Sequence, residues 1–254
     1  MFTFRGSIGP VELAFTDRLG GVSAAPFDEL NLAVGSADPA VPANIERVRA
    51  AFGPTDTWVH LRQVHGSHVH LADLVQINAD LAQTDGELAQ TDRDLARIEA
   101  DAVVTRDPGL TLSVRAADCV PIVLADVEAG VIGAAHAGRA GVVAEVAVET
   151  VRAMHVQGAS RIEAWIGPYV CGACYEVPLD LQAEVVGSVP ATAATTSWGT
   201  PALDLGAGLR AQLQAVGVEV HDVSRCTRES LDLYSYRRDG ASAGRHVGII
   251  RMRP

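Results

Sequence analysis

Apolar positions along the chain fall into short runs of two kinds. Val11 to Thr16 alternates like a strand and runs into the turn Gly20-Gly21. Leu112 to Arg115, Pro121 to Ala125, Val131 to Ala135 and Arg161 to Ile166 are short and apolar, as buried strands are, and the last stops at Gly167-Pro168. Val218 to Val223 and His246 to Met252 read the same way. Between them lie helical patterns: Asn44 to Phe52, ending at Gly53-Pro54; Gly141 to Val156, with Val142, Val146 and Met154 near helical spacing; and Leu203 to Val216, closed by Gly217. This alternation predicts an α/β chain. No polar linker divides it, so residues 1–254 read as a single domain.

One segment breaks the pattern. Residues 74–101 divide into four sevens headed by Leu74, Leu81, Leu88 and Leu95. Seven is the coiled-coil period. The apolar seam is thin, because Thr84 and Thr91 hold the central positions and Gly86 weakens a helix. The segment at about 74–100 is therefore expected to be a duplicated, solvated insertion. The competing reading is a helix that contacts a partner protein. A monomer or weak homo-oligomer is expected.

Composition narrows the chemistry. The 254 residues, 48% apolar and 20% charged, are those of a folded globular chain. All 20 basic residues are arginine. Without lysine there is no Schiff-base catalysis, no pyridoxal-phosphate attachment and no Walker P-loop. The net charge of −11 argues against nucleic-acid binding. Residues 74–101 carry seven acidic residues against two arginines, so −5 of the −11 lies in the heptad segment and the acidity says less about an active site than the total suggests. No run approaches the roughly 20 apolar residues of a membrane helix. The first residues lack a basic stretch followed by an apolar one, so a cytoplasmic location is expected, with thiols in preference to disulfides.

Several residues could carry chemistry. His60, His65, His68 and His70 crowd into HLRQVHGSHVH; Asp118-Cys119 precede a buried strand; and His136 ends another among small residues. Two histidines and a cysteine suit zinc, and three protein ligands leave a fourth position open, as catalytic sites do. Yet 54 positions separate His65 from Cys119 and 17 separate Cys119 from His136, and neither gap matches a local metal motif. Cys171 and Cys174 form a CxxC with no second copy, so it reads as packing. The segment SYRRDGASAGRH brings Arg237, Arg238 and Arg245 to a turn, either as a solvated loop or as a clamp for an anionic or planar substrate.

In order along the chain stand FTDRLGGVS (15–23), LNL (30–32), QVHG (63–66), ADAVVT (100–105), ADCVPIVLAD (117–126), AAHAG (134–138), IGPYVCGACYEV (166–177), Cys226-Thr227 and SYRRDG (235–240). This series resembles the laccase-domain family, whose members also go by multicopper polyphenol oxidoreductase, purine nucleoside phosphorylase and peptidoglycan editing factor. The resemblance implies a single layered domain of α/β/β/α type, similar in architecture to the cytotoxic-necrotizing-factor-like toxin deamidases. It implies zinc, more than copper, on His65, Cys119 and His136. The deamidase likeness also offers Cys119 as a nucleophile.

The activity so implied is that of a zinc-dependent purine nucleoside enzyme, phosphorolysing adenosine- or inosine-type nucleosides and deaminating adenosine. Asp118 is then the expected proton shuttle beside Cys119 and His136. Arg47 or Arg238 is expected to bind phosphate, and Asn31 and Ser235 the sugar. Three alternatives stand beside it: an amide hydrolase editing peptidoglycan precursors, a copper-dependent polyphenol oxidase, and a zinc-stabilised scaffold without catalysis. Two departures from the family bear on substrate choice. Arg139-Ala140 stand where Trp-Arg is usual, and Asn44-Ile45 where Asn-Arg is usual, leaving Arg47 as the nearest basic residue.

Overall fold

The structure, a computed structural model, describes residues 1–77 and 98–253. Most of the heptad insertion therefore lies outside the described residues. The strands are, in chain order, β1 (Phe2–Ile8), β2 (Val11–Thr16), β3 (Thr57–Arg62), β4 (Val69–Leu71), β5 (Ile98–Glu99), β6 (Ala102–Thr105), β7 (Leu110–Ala116), β8 (Val120–Asp126), β9 (Val131–Ala137), β10 (Glu163–Ile166), β11 (Ala193–Thr195), β12 (Pro201–Leu203), β13 (Glu219–Asp222) and β14 (His246–Met252). The helices are α1 (Val41–Phe52), α2 (Arg139–Val143), α3 (Val146–Val156), α4 (Leu179–Ser188), α5 (Leu205–Ala215) and the single turn α6 (Tyr236–Asp239).

Two six-stranded sheets form the centre. Their orders are β1-β2-β14-β7-β3-β5 and β13-β10-β8-β9-β6-β4, with β11-β12 a separate hairpin. Strand alternation explains the layering. On β8, Val123 and Ala125 join Leu112, Val114 and Ile250 of the first sheet in the core between the sheets. Ile122 and Leu124 point the other way and pack with Val142, Val151, Met154, Leu209 and Leu213 of α2, α3 and α5. On the outer face of the first sheet, Ala14 and Ile249 meet Val41, Ile45, Val48 and Phe52 of α1. Every residue of β8 and β9 is buried, which is why these strands read as continuous apolar runs. The order of layers is helix, sheet, sheet, helices: the expected α/β/β/α architecture.

Most expected elements are present, with shifted ends. The expected helix 141–156 is two helices, divided at Glu145, whose φ of 58° is left-handed. Neither glycine nor proline stands at the break, so nothing local announces it. The expected helix 203–216 begins at Leu205, because Asp204 caps it by accepting a bond from the Ala207 amide at 2.8 Å, and Pro201–Leu203 pairs instead as β12. Among the described residues no helix is long and apolar enough to cross a membrane.

Candidate active site

Sheet register assembles the site. Val120 pairs with Ala137 across β8 and β9, which carries Cys119 and Gly138 to the same end of the sheet. Ala102 pairs with Ala135 across β6 and β9, so Asp101 lies beside His136, whose amide donates to the Asp101 carbonyl at 2.7 Å. The third residue, His65, comes from the loop that leaves β3 in one sheet and enters β4 in the other. That loop is anchored by Gln63, whose side chain exchanges two hydrogen bonds with the Arg115 backbone, at 2.8 and 2.9 Å.

His65, Cys119 and His136 converge: one donor atom from each lies within 4.8 Å of the others. The Cys119 Sγ is 3.8 Å from His65 Nε2, and the two imidazoles meet edge-on with centroids 4.9 Å apart. The tetrahedral habit of zinc and this borderline-soft donor set agree. His136 is buried and its Nδ1 donates to Asp101 Oδ1 at 2.9 Å, leaving Nε2 as the nitrogen that could ligate a metal. Three protein donors leave room for one more ligand.

The sequence reading missed Asp101, which organises the whole site. It is fully buried, and its two oxygens accept from the amides of Val64, His65 and Gly66 as well as from His136. Burial raises its pKa, but the bonds from His136, Gly66 and Val64 outweigh this and hold it below the ordinary value. The same three amides fix His65 in a left-handed backbone with φ of 63°, a conformation a non-glycine residue holds only when its surroundings impose it. The only sequence hint was the ADA that opens ADAVVT. Gly138 is the other close-packing device: a Cβ there would come within 2.6 Å of the His65 ring and 3.2 Å of Cys119 Sγ.

Cys119 sits in a place hostile to the thiolate. Burial first, and the Asp118 charge second, push its pKa up to about 12. The thiolate that a nucleophile requires is therefore disfavoured unless a cation stands beside it.

These groups form the floor of an open cavity of about 1050 Å³. That is at the upper end of small-molecule pockets, roughly 300–1000 Å³. Its walls carry Arg115, Arg237 and Arg245, with Tyr175, Tyr236 and Phe27 as aromatic surface. The Arg237 guanidinium lies over the Tyr175 ring, 4.6 Å from its centroid.

Several expected contacts are corrected by this arrangement. Arg47 is exposed on α1 and does not line the cavity. Arg238 is spent on the backbone carbonyls of Thr227, Arg228, Ser230 and Leu233 and on Asp239, so it clamps its own loop. Asn31 is fully buried, bonded to Asp38 and to the amides of Ala33 and Arg245. Ser235 is also buried, where it caps α6 through the Arg238 amide. Asp118 does line the cavity, but Thr227 Oγ1 and the Arg237 amide occupy its two oxygens, at 2.6 and 2.5 Å. Its carboxylate ties the 227 and 237 loops beneath Cys119 and is poorly placed to shuttle protons. Asn44, first of the altered pair, is likewise consumed by the 22–31 loop.

Comparison with known proteins agrees with this geometry. Residues 12–253 match the family described as multi-copper polyphenol oxidoreductase laccase. The chain is 49% identical over 248 residues to purine nucleoside phosphorylase ORF3 of Streptomyces griseus, covering 95% of this chain and 94% of that one. It is 38% identical over 168 residues to adenosine deaminase RL5 from an unknown prokaryote, covering 59% of this chain and 62% of that one. Among solved structures, YlmD from Geobacillus stearothermophilus superposes with a TM-score of 0.82 at 29% identity, covering 97% of this chain and 93% of that one. With its motifs, its layers and its His-Cys-His cluster in place, the chain belongs to the multi-copper polyphenol oxidoreductase laccase family.

Proposed function

We propose that this protein is a zinc-dependent purine nucleoside enzyme, phosphorolysing adenosine- or inosine-type nucleosides and deaminating adenosine. The observation that carries the reading is the convergence of His65, Cys119 and His136 on the floor of a cavity walled by arginines and tyrosines. The enzyme names borne by the relatives support it. In this reading His65 Nε2, Cys119 Sγ and His136 Nε2 hold the ion. When bound, zinc supplies a Lewis-acid centre that polarises a substrate or water oxygen.

The chain's own residues do the rest. Asp101 keeps the His136 ring oriented and the 64–66 loop closed upon the site. Tyr175 and Tyr236 offer flat surfaces on which a purine can stack, a role the missing tryptophan at Arg139 does not fill. The chain has no lysine, so arginine must bind phosphate. Arg115, Arg237 and Arg245 face the cavity, and they replace Arg47 and Arg238 in this role. In phosphorolysis, phosphate attacks ribose C1′ and the base departs. In deamination, water adds at C6 and ammonia leaves.

The 3.8 Å Cys119–His65 pair favours a second reading, an amide hydrolase acting on peptidoglycan precursors with Cys119 as nucleophile. The upward-shifted thiol counts against it. The test is elemental analysis of purified protein beside assays of adenosine and inosine, with and without phosphate. His136→Ala is expected to lose the ion held by His65, Cys119 and His136 and nucleoside turnover together. Full turnover in a zinc-free variant would remove the metal from the mechanism.

A further inference from the structure

The CxxC that reads as packing in the sequence has partners in the structure. Cys226, 52 positions beyond Cys174, brings its sulfur to the same point, and Glu229 follows one turn later. One donor atom from each of Cys171, Cys174, Cys226 and Glu229 lies within 4.8 Å of all the others. All four cysteines of the chain are free, so no disulfide consumes these sulfurs.

We propose that Cys171, Cys174, Cys226 and Glu229 form a second metal site, a closed structural centre for a thiophilic divalent cation, zinc by preference. Three thiolates and a carboxylate give the four ligands of a tetrahedral structural site, in contrast to the open three-ligand set at His65, Cys119 and His136.

Four observations carry this. First, the CxxC lies on a tight turn in which the amides of Cys174 and Tyr175 both donate to the Cys171 carbonyl, at 2.9 Å, folding the two sulfurs to one side. Second, the turn cannot drift: a Cβ on Gly172 would meet Asp204 Cβ at 2.9 Å and Ala194 Cβ at 3.1 Å, so the loop is packed directly on its neighbours. Third, the second loop is docked by pairing between Tyr169 and Cys226 and by the Thr227 amide donating to the Tyr169 carbonyl at 3.0 Å. Fourth, the Cys171 amide points at Cys226 Sγ at 3.5 Å, the polarity that suits a thiolate accepting from backbone.

Burial first, then the Cys226 and Cys174 sulfurs, push the Cys171 pKa up to about 12, and burial raises that of Cys174. Binding a dication forms three metal–sulfur bonds and one metal–oxygen bond, and each thiol that binds gives up its proton to solvent.

The location suggests what such a centre does. Tyr175, next to Cys174, lines the active-site cavity, and Thr227, next to Cys226, holds Asp118. The cation would lock together two loops that build one wall of that cavity.

The test uses the full chain, purified under reducing conditions, with zinc content measured by elemental analysis. Two equivalents are expected in the wild type, one in His136→Ala and one in Cys226→Ser. Glu229→Gln, which leaves the thiols in place and guards against misfolding in the cysteine variant, is expected to bind the second equivalent about tenfold more weakly. Cobalt(II) loaded in place of zinc is expected to give an intense sulfur-to-cobalt charge-transfer band that survives in His136→Ala and collapses in Cys226→Ser. A His136→Ala chain free of metal would overturn the proposal, as would unchanged zinc content in Cys226→Ser. So would an intact mass 2 Da low with a disulfide among these cysteines in freshly purified protein.

Discussion

Replacing Asp101 by Asn changes one atom and tests the logic of the site. Oδ1 accepts from the His136 Nδ1–H and the His65 amide, and Oδ2 from the Val64 and Gly66 amides. Asparagine keeps one oxygen. Whichever way it turns, its NH2 faces two donors, so two charge-assisted hydrogen bonds are lost in a fully buried place. At roughly 1.5–3 kcal/mol for each such bond, the cost is about 3–6 kcal/mol. An unfolding entropy near 2.1 cal/mol/K per residue, over 254 residues, is about 0.5 kcal/mol/K, so the metal-free protein is expected to melt about 6–11 °C lower. With the NH2 turned to the Oδ1 position, His136 also loses the acceptor that fixes its tautomer, which typically weakens metal binding about 10–100-fold. Scanning calorimetry on chelator-treated protein reads the first effect, and zinc competition with a chromophoric chelator reads the second. A variant that melts within about 2 °C of wild type and keeps its zinc affinity would refute the reasoning.

Other expectations follow from the same structure. Gly138→Ala drives a methyl into the His65 ring, so zinc affinity should fall while the melting temperature moves little, His65 being at the surface; an unchanged affinity would mean the ring has another resting place. Arg237→Gln should raise the phosphate KM about 10–100-fold and leave deamination nearly unaltered, whereas Arg47→Gln should change neither, and steady-state assays of both reactions separate the cases. His60 and His246 are buried and neutral. Burial lowers their pKa values to about 3 and about 4, with the Arg115 charge adding at His60. The unfolded chain therefore takes up these protons first, near its ordinary pKa of about 6.5. Stability is full above that pH and is lost as the pH falls toward the folded values, by up to about 1.4 kcal/mol per pH unit for each histidine. Melting curves from pH 7 to 4.5 should steepen below pH 6, and His246→Gln should reduce the slope; an equal slope in both proteins would refute the assignment.

The buried strands were legible because both faces of the central sheets are covered, so β8 and β9 had to be apolar throughout. The outer strand β1 and helix α4 escaped. Both are only partly buried and carry weak periodicity, Val185 being the only buried residue in α4. Resemblance named His65, Cys119 and His136, which the structure brings together, but not their support. Nothing in one sequence shows that Asp101 meets four donors, or that Arg238 and Ser235 spend their polar groups on their own loop.

What the sequence determined by itself is local and compositional. The absence of lysine confines permanent positive charge to arginine, and the apolar runs impose a layered α/β interior. Tertiary structure decided which arginines face the cavity: Arg115, Arg237 and Arg245 line it while each also donates to a backbone carbonyl, whereas Arg238 lies off it and spends its guanidinium on four carbonyls and Asp239 of its own loop. It also joined Cys226 and Glu229 to a CxxC some fifty residues away. Ligand sets of this kind depend on which loops two packed sheets bring to the same end, and that is set by strand register and order, not by spacing along the chain.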